Sequence, residues 1–248
     1  MRFFPAPFRS PTPPVTWTFN SSYKGADITL DAAKTTASFT VGTQEIVIAT
    51  APGSTTGKST GKWYWEIAVN GTTWNSRAIG IALSRGLNDT GSNNAMWNTT
   101  SNLYDFRSLL VATSTTAIPC KNIAGTNSTA TTITLPSTLN SSSVFMVALD
   151  VNAGAIWFGL DGTWLKSAST AEIVAGITTN AVWADLNSST STEPWTPAVN
   201  EPSTASLLKR TITLSSACRR ANTSANFGNL AMRVGIQCLV LGVALAME

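Results

Sequence analysis

The stretch Val144-Phe-Met-Val-Ala-Leu-Asp150-Val-Asn-Ala-Gly154-Ala-Ile-Trp-Phe-Gly-Leu160 contains two apolar runs of strand length joined by a short polar turn. The segment Asn152-Ala-Gly154 carries turn-forming residues, and Gly154 can adopt the positive φ that short hairpin loops need. The dipeptide Asp161-Gly162 then marks a second turn. The pattern predicts an antiparallel β-hairpin at the centre of the fold.

A second run, Trp63-Tyr-Trp-Glu-Ile-Ala-Val69, alternates between larger apolar and mixed side chains. Because successive side chains of a strand point to opposite faces, this alternation predicts a half-buried strand. The core face of this strand is predicted to carry Trp63, Trp65, Ile67 and Val69. The opposite face carries Tyr64, Glu66 and Ala68.

Further short runs rich in β-branched and aromatic residues are separated by Gly, Ser, Thr and Asn. They predict strands at residues 15–19, 37–41, 45–49, 78–83, 211–214 and 224–227. Residues 169–177 fit one short helix, and residues 86–100 and 118–139 are expected to form loops or weak edge strands. Many short strands without strand–helix alternation predict an all-β fold, an antiparallel sandwich or barrel.

The composition excludes several kinds of chemistry. The 248 residues contain no histidine, which removes His-based catalytic triads and His-ligated zinc. Only 12% of the residues are charged, and Ser and Thr make up about a quarter. Cys120, Cys218 and Cys238 have no metal-site spacing and are interpreted as buried apolar residues. The net charge of +3 comes with no long basic stripe, so nucleic-acid binding is not expected.

Two local motifs resemble ligand sites and fail on spacing. Residues 53–59 have three residues between the glycines where a P-loop has four, and a strand follows instead of a helix. Residues 150–161 resemble a calcium loop, but its sixth position is Ala155 instead of glycine, and apolar residues follow. We therefore expect no cofactor and no metal.

The two ends differ from the middle of the chain. Five prolines within the first sixteen residues predict an extended arm at 1–14. Residues 234–247 carry no charge but are too few to span a bilayer, so a strand, a core helix and an arm docked on a neighbour are all open. The predicted organisation is an arm at 1–14, a sandwich at 15–228 and an apolar tail at 229–248.

Five motifs in order resemble a SPRY domain across most of the predicted sandwich. They are Ser59-Thr-Gly-Lys-Trp-Tyr-Trp-Glu-Ile67, Ala78-Ile-Gly-Ile-Ala82, the central hairpin, Trp195-Thr-Pro-Ala-Val199 and Ala225-Asn-Phe-Gly228. The resemblance implies a bent two-sheet antiparallel β-sandwich that serves as a binding or structural module and is generally not catalytic. The chain departs from the family at Ser142-Ser143 and in the loops between residues 86 and 139, so no partner residues are carried over.

Aromatic residues in polar stretches are the candidate binding residues. Trp74 and Trp97 have no apolar alternation around them, and Tyr104 is a third candidate, while Trp183 and Trp195 are less clear. Such side chains can stack on sugars or anchor a protein interface, although the alternative is that they pack under their loops. Glu66 is interpreted as a framework carboxylate bonded to a neighbouring backbone or basic group.

The composition, the proline-rich arm and the SPRY resemblance are similar to those of proteins encoded by tailed bacteriophages. They predict a non-enzymatic virion structural protein, such as a capsid decoration, fibre or tail-associated component, assembled in the host cytoplasm. The expected partners are other virion proteins and further copies of the chain, with no nucleic acid and no membrane span. The alternative is a carbohydrate-binding or host-adsorption module for a host surface glycan, and a hydrolase with a Glu/Asp pair is a third hypothesis.

Overall fold

The structure is a computed structural model that describes residues 17–25, 28–39, 45–50, 57–70, 77–83, 105–189, 192–201 and 210–215. The predicted arm, the predicted tail and the strand predicted at 224–227 lie outside these ranges. The strands and the one α-helix are β1 Thr18–Lys24, β2 Ile28–Leu30, β3 Thr36–Phe39, β4 Glu45–Thr50, β5 Lys62–Asn70, β6 Arg77–Leu83, β7 Phe106–Val111, β8 Thr116–Ile123, β9 Thr126–Thr129, β10 Ile133–Thr134, β11 Val144–Asp150, β12 Ala155–Leu160, β13 Thr163–Trp164, α1 Thr170–Ala175, β14 Trp195–Glu201 and β15 Arg210–Ser215.

The described strands form two antiparallel sheets. One has eight strands in the order β1-β4-β14-β6-β7-β8-β10, with β9 also paired to β8. The other has seven strands in the order β13-β12-β11-β5-β15-β3-β2. The two sheets bury one shared apolar core, which confirms the predicted all-β antiparallel sandwich.

The core between the sheets is rich in aromatic rings. Trp65 and Ile67 of β5 face it from one sheet, and Ile79 and Ile81 of β6 face it from the other, all with no exposed surface. Trp17, just before β1, contacts Trp65 of the opposite sheet with 6.0 Å between ring centroids. The buried alternate positions of β5 confirm the periodicity expected for residues 63–69.

The central hairpin is confirmed residue by residue. Strands β11 and β12 pair from Phe145 with Leu160 to Asp150 with Ala155, and β5 pairs with the other edge of β11. Gly154 has φ of 69° in the connecting turn, so an L-residue there would be strained. The hairpin thus lies near the middle of the seven-stranded sheet.

Strand β8 corrects the expectation of a loop or weak edge over residues 118–139. It pairs along its length with β7 on one side, and with β9 and β10 on the other. Its sequence contains Pro119, Lys121 and Asn122, which are unfavourable in a central strand. The buried neighbours in β7 outweigh this local preference. Strands β7 and β14 were also not predicted as strands from apolar periodicity.

The short helix expected at residues 169–177 is confirmed as α1. Ser169 accepts a hydrogen bond from the Glu172 amide, and the Glu172 side chain accepts from the Ser169 amide, which completes a capping box. Ile173 packs with Ala148 and Trp157 on the outer face of the seven-stranded sheet. No helix within the described ranges is long and apolar enough to cross a membrane.

Candidate functional site

Next to α1, the outer face of the seven-stranded sheet carries a partly buried aromatic patch. One cross-strand row runs from Glu66 in β5 through Met146 in β11 and Gly159 in β12 to Trp164 in β13. Tyr64 lies on the same face of β5 as Glu66, because the two are separated by one residue. We call Tyr64, Glu66, Met146 and Trp164 the aromatic patch.

The two rings of the aromatic patch contact each other edge to face. The centroids of Tyr64 and Trp164 are 6.2 Å apart, and the ring planes meet at 73°. Gly159 makes this arrangement possible, because a Cβ there would lie 3.1 Å from Cε3 of Trp164 and would collide with the Met146 methyl group. The indole Nε1 of Trp164 donates to Thr170 Oγ1 at 3.2 Å, so α1 helps to orient the ring.

Glu66 and Tyr64 form the polar end of the patch. The Tyr64 hydroxyl donates to Glu66 Oε1 at 2.5 Å. Burial, the Glu66 charge and this hydrogen bond raise the pKa of Tyr64 far above its ordinary value, so the phenol remains a donor. The partner of Glu66 is therefore a tyrosine, where a backbone or basic group was expected. In the part of the chain described, Oε2 of Glu66 makes no hydrogen bond and can accept one.

A strained turn connects Trp164 to α1. Lys166 and Ser167 both have positive φ, at 55° and 57°, and Ala168 N donates to Leu165 O at 3.2 Å. Consecutive left-handed residues other than glycine cost roughly 1–2 kcal/mol each. Lys166 Nζ donates to Ala181 O at 2.6 Å and helps to hold the turn. Such strain is frequent near functional sites, and here it lies beside the indole of the patch.

The binding residues expected from the sequence have different outcomes. Trp74, Trp97 and Tyr104 lie outside the described residues, so their assignment stays a prediction. Trp183 and Trp195 are core residues, with 9% and 5% of their surface exposed. Trp164 was not singled out because only its pairing with Gly159 brings it beside Tyr64. The alternation of the strand did predict that Tyr64 lies on the face of β5 opposite to that of Trp63.

A second polar cluster surrounds Arg107, which is fully buried on β7. Its Nε lies 2.7 Å from Asp185 Oδ1, and its Nη1 donates to the carbonyls of Phe106 and Asn122 at 2.8 Å each. Lys121 Nζ lies 2.5 Å from Asp185 Oδ2. These contacts attach the 3-10 segment Leu186–Ser188 to β7 and β8. The cluster is interpreted as structural because its charged groups already bind one another.

The acidic residues of the calcium-like loop also make internal contacts. Asp150 Oδ2 lies 2.9 Å from Lys62 Nζ, and its Oδ1 accepts from the Ala153 amide at 3.0 Å. Asp161 accepts from the Val144 amide at 2.8 Å. Among the described residues, no group of three potential ligands is placed to hold a metal ion. These carboxylates therefore stabilise turns and strand ends.

The arrangement defines an antiparallel β-sandwich with an aromatic patch on one outer face. No protein-family model and no curated protein matches the chain. Solved structures similar to it include the SPRY domain of human HERC1, with 13% identity, 80% of this chain and 97% of that chain covered and a TM-score of 0.49. The stonustoxin structure has 15% identity, 80% and 27% coverage and a TM-score of 0.46. The carbohydrate-binding module CBM66 from Bacillus subtilis has 9% identity, 82% and 94% coverage and a TM-score of 0.41.

Proposed function

We propose that the protein is a non-enzymatic binding module that recognises a glycan on the aromatic patch. The observation that carries this proposal is the partly exposed pair of Tyr64 and Trp164 beside an oxygen of Glu66 that can still accept a hydrogen bond. Aromatic rings provide an apolar surface for the C–H face of a sugar, and a carboxylate accepts hydrogen bonds from its hydroxyls. The patch combines both kinds of contact.

The neighbouring carboxylates support binding in preference to catalysis. Glycoside hydrolysis needs two carboxyl groups that face each other across the scissile bond. Asp150 is paired with Lys62, and Glu172 caps α1, so each already has a structural role. Glu66 is therefore proposed as a ligand acceptor, because neither of these two described carboxylates is available as a second catalytic acid.

A glycan array that includes bacterial cell-surface polysaccharides tests the proposal. We expect Trp164→Ala to weaken binding at least about tenfold, which corresponds to about 1.4 kcal/mol. Glu66→Gln should weaken it less, because the amide retains one oxygen acceptor. Ile177→Ala is the matched control, since Ile177 is exposed and lies outside the aromatic patch.

The array also separates the two candidate sites. If Trp74→Ala or Trp97→Ala abolishes binding while Trp164→Ala leaves it unchanged, the sequence-based residues form the site and the aromatic patch does not. If the purified protein binds no glycan on the array, the glycan-binding proposal is wrong.

A second candidate concerns where the module acts. We propose that it is a virion surface accessory, as a decoration, fibre or tail-associated component, assembled with further copies of itself. The low charge, the hydroxyl-rich composition and the five prolines near the start support this proposal. Removing residues 1–14 should reduce incorporation into particles and leave glycan binding intact. Normal incorporation of the shortened chain would contradict a docking role for the arm.

A further inference from the structure

The outer face of the eight-stranded sheet is lined by small side chains and is buried. Its central row passes from Ala198 in β14 to Gly80 in β6, Ser108 in β7 and Cys120 in β8. Ala78, Ala82 and Phe106 flank this row and belong to an apolar cluster separate from the core between the sheets. We call these seven residues the small-residue face, and each of them is classed as buried.

The helical segments of the described ranges lie elsewhere. Helix α1 packs on the other sheet through Ile173, and Leu186 of the 3-10 segment Leu186–Ser188 belongs to the core between the sheets. A sheet buried on both faces needs a further layer beyond its partner sheet.

We propose that residues 234–247 of this chain cover the small-residue face as a third layer. These fourteen residues carry no charge and include Val234, Ile236 and Leu239. The other stretches of more than eight residues outside the described ranges all carry charge: Arg2 and Arg9 in 1–16, Arg85 and Asp89 in 84–104, and Arg219, Arg220 and Arg233 in 216–233. They are therefore less suited to a fully buried apolar contact. The uncharged segment matches the apolar face that it would cover.

The lengths of the segments allow this contact. Strand β15 ends at Ser215 in the seven-stranded sheet, and eighteen residues lie between it and Val234. Such a connection can span up to roughly 60 Å, which exceeds the roughly 20 Å, two layer spacings, between the seven-stranded sheet and a layer on the outer face of the eight-stranded sheet. As a strand the segment would extend about 46 Å, and as a helix about 21 Å. Either form is longer than the roughly 14 Å across the four strands of the row.

The small side chains of the face favour close packing of such a layer. The alanines at positions 78, 82 and 198 leave little side chain between the sheet and another layer. A Cβ at Gly80 would collide with the backbone of Arg107 and Ser108, so this glycine serves the close contact with β7 within the sheet. Of the three possibilities that the sequence leaves open for residues 234–247, this assignment excludes the arm docked on a neighbour. It does not depend on glycan binding, because the aromatic patch lies on the other sheet.

Cys120 provides the reporter for this proposal, because it lies in the row and is 2% exposed. Burial raises the pKa of its thiol to about 12, against a smaller lowering by a backbone hydrogen bond at Leu110. A buried, protonated thiol reacts slowly with alkylating reagents. Iodoacetamide labelling of the full chain at pH 8 can be followed on the tryptic peptide 108–121 by mass spectrometry.

The test substitution in the full chain is Val240→Asp, with Ser224→Asp as the matched control outside the segment. We expect Val240→Asp to accelerate Cys120 labelling on the order of 100-fold, because the charged segment would detach from the face. Ser224→Asp should leave the rate unchanged. Near-UV circular dichroism of the tryptophans verifies that both variants keep the packed core.

A shortened chain provides an independent measurement. Removing residues 234–248 should accelerate Cys120 labelling at least as much, whereas removing residues 1–14 should not. Unchanged labelling in both Val240→Asp and the shortened chain would overturn the proposal. Acceleration only on removal of 1–14 would assign the cover to the arm and also overturn it. If Cys120 of the full chain reacts faster with iodoacetamide when the protein is diluted, the cover is a second copy of the chain and the proposal is overturned.

Discussion

At the scale of single residues, Asp185 binds two basic side chains from neighbouring strands. Its two oxygens contact Arg107 and Lys121, and Arg107 is fully buried. Burial alone would raise the pKa of Asp185, but the hydrogen bonds and charges of Lys121 and Arg107 hold it below its ordinary value. A carboxyl with a lower pKa in the folded state stabilises the fold above its unfolded pKa. That stabilisation is lost as the pH falls through the folded pKa.

We expect Asp185→Asn to lower the free energy of unfolding at pH 7 by about 2–4 kcal/mol, because Arg107 would remain buried without its counter-charge. The difference from the wild type should shrink as the pH falls below about 4, the ordinary pKa of an aspartate, because the carboxyl of the unfolded chain is protonated there before that of the folded chain. Urea denaturation at pH 7, 4 and 3 measures both effects. Ile177→Ala, at an exposed residue outside this cluster, is the control. If the free energy of unfolding changes with pH equally in the wild type and in Asp185→Asn, Asp185 does not stabilise the fold through its charge.

At the scale of the elements, Lys62 fastens α1 to the seven-stranded sheet. Its Nζ lies 2.9 Å from Asp150 Oδ2 and donates to Val174 O in the last turn of α1 at 2.6 Å. A cation is favourable at the carboxyl end of a helix, where backbone carbonyls lack helical partners. One side chain therefore compensates the nearly buried Asp150 and the end of a six-residue helix.

We expect Lys62→Met to lower the free energy of unfolding by about 3 kcal/mol, because Asp150 would be left buried without its counter-charge. Amides of residues 173–177 should lose hydrogen-exchange protection before those of β11. The double variant Lys62→Met with Asp150→Asn should recover part of the loss, since it removes the unpaired charge. If the loss of unfolding free energy in the double variant equals the sum of the losses in Lys62→Met and Asp150→Asn alone, the two residues are not coupled.

Local sequence was sufficient for elements whose own side chains specify them. The hairpin of β11 and β12 was predicted because two apolar runs flank the turn at Gly154. A short helix was expected at residues 169–177, and the structure shows that a capping box of Ser169 and Glu172 begins it. Strand β8 was missed because Pro119 and Lys121 oppose strand formation locally. Lys121 is accommodated there by Asp185, which lies 64 residues later in the chain.

The aromatic patch was harder to predict than the hairpin and α1, because it depends on the pairing of strands far apart in the sequence. The alternation of β5 placed Tyr64 and Glu66 on one face, but nothing in the local sequence connected them with Trp164. That contact needs β5 beside β11, β12 beside β13, and a glycine at position 159 that leaves room for the indole. Sheet order is set by contacts between residues far apart in the chain, which periodicity does not report.

At the scale of the whole molecule, the two sheets are joined by one apolar core. Trp17 lies next to β1 of the eight-stranded sheet, and its ring is 5.8 Å from Trp63 and 6.0 Å from Trp65 of the other sheet. Because each sheet covers the inner face of the other, neither can expose that face without exposing its partner's. The sandwich should therefore unfold as one cooperative unit.

We expect Trp17→Ala to lower the free energy of unfolding by about 3–5 kcal/mol, because the large buried ring leaves a cavity that the rigid sheets fill only in part. Since Trp17 contacts the opposite sheet, the most protected amides of β6 and β11 should lose the same amount of hydrogen-exchange stability. Ile177→Ala is the control, because its 48% exposed side chain should contribute little. Loss of protection confined to the eight-stranded sheet would show that the two sheets open separately.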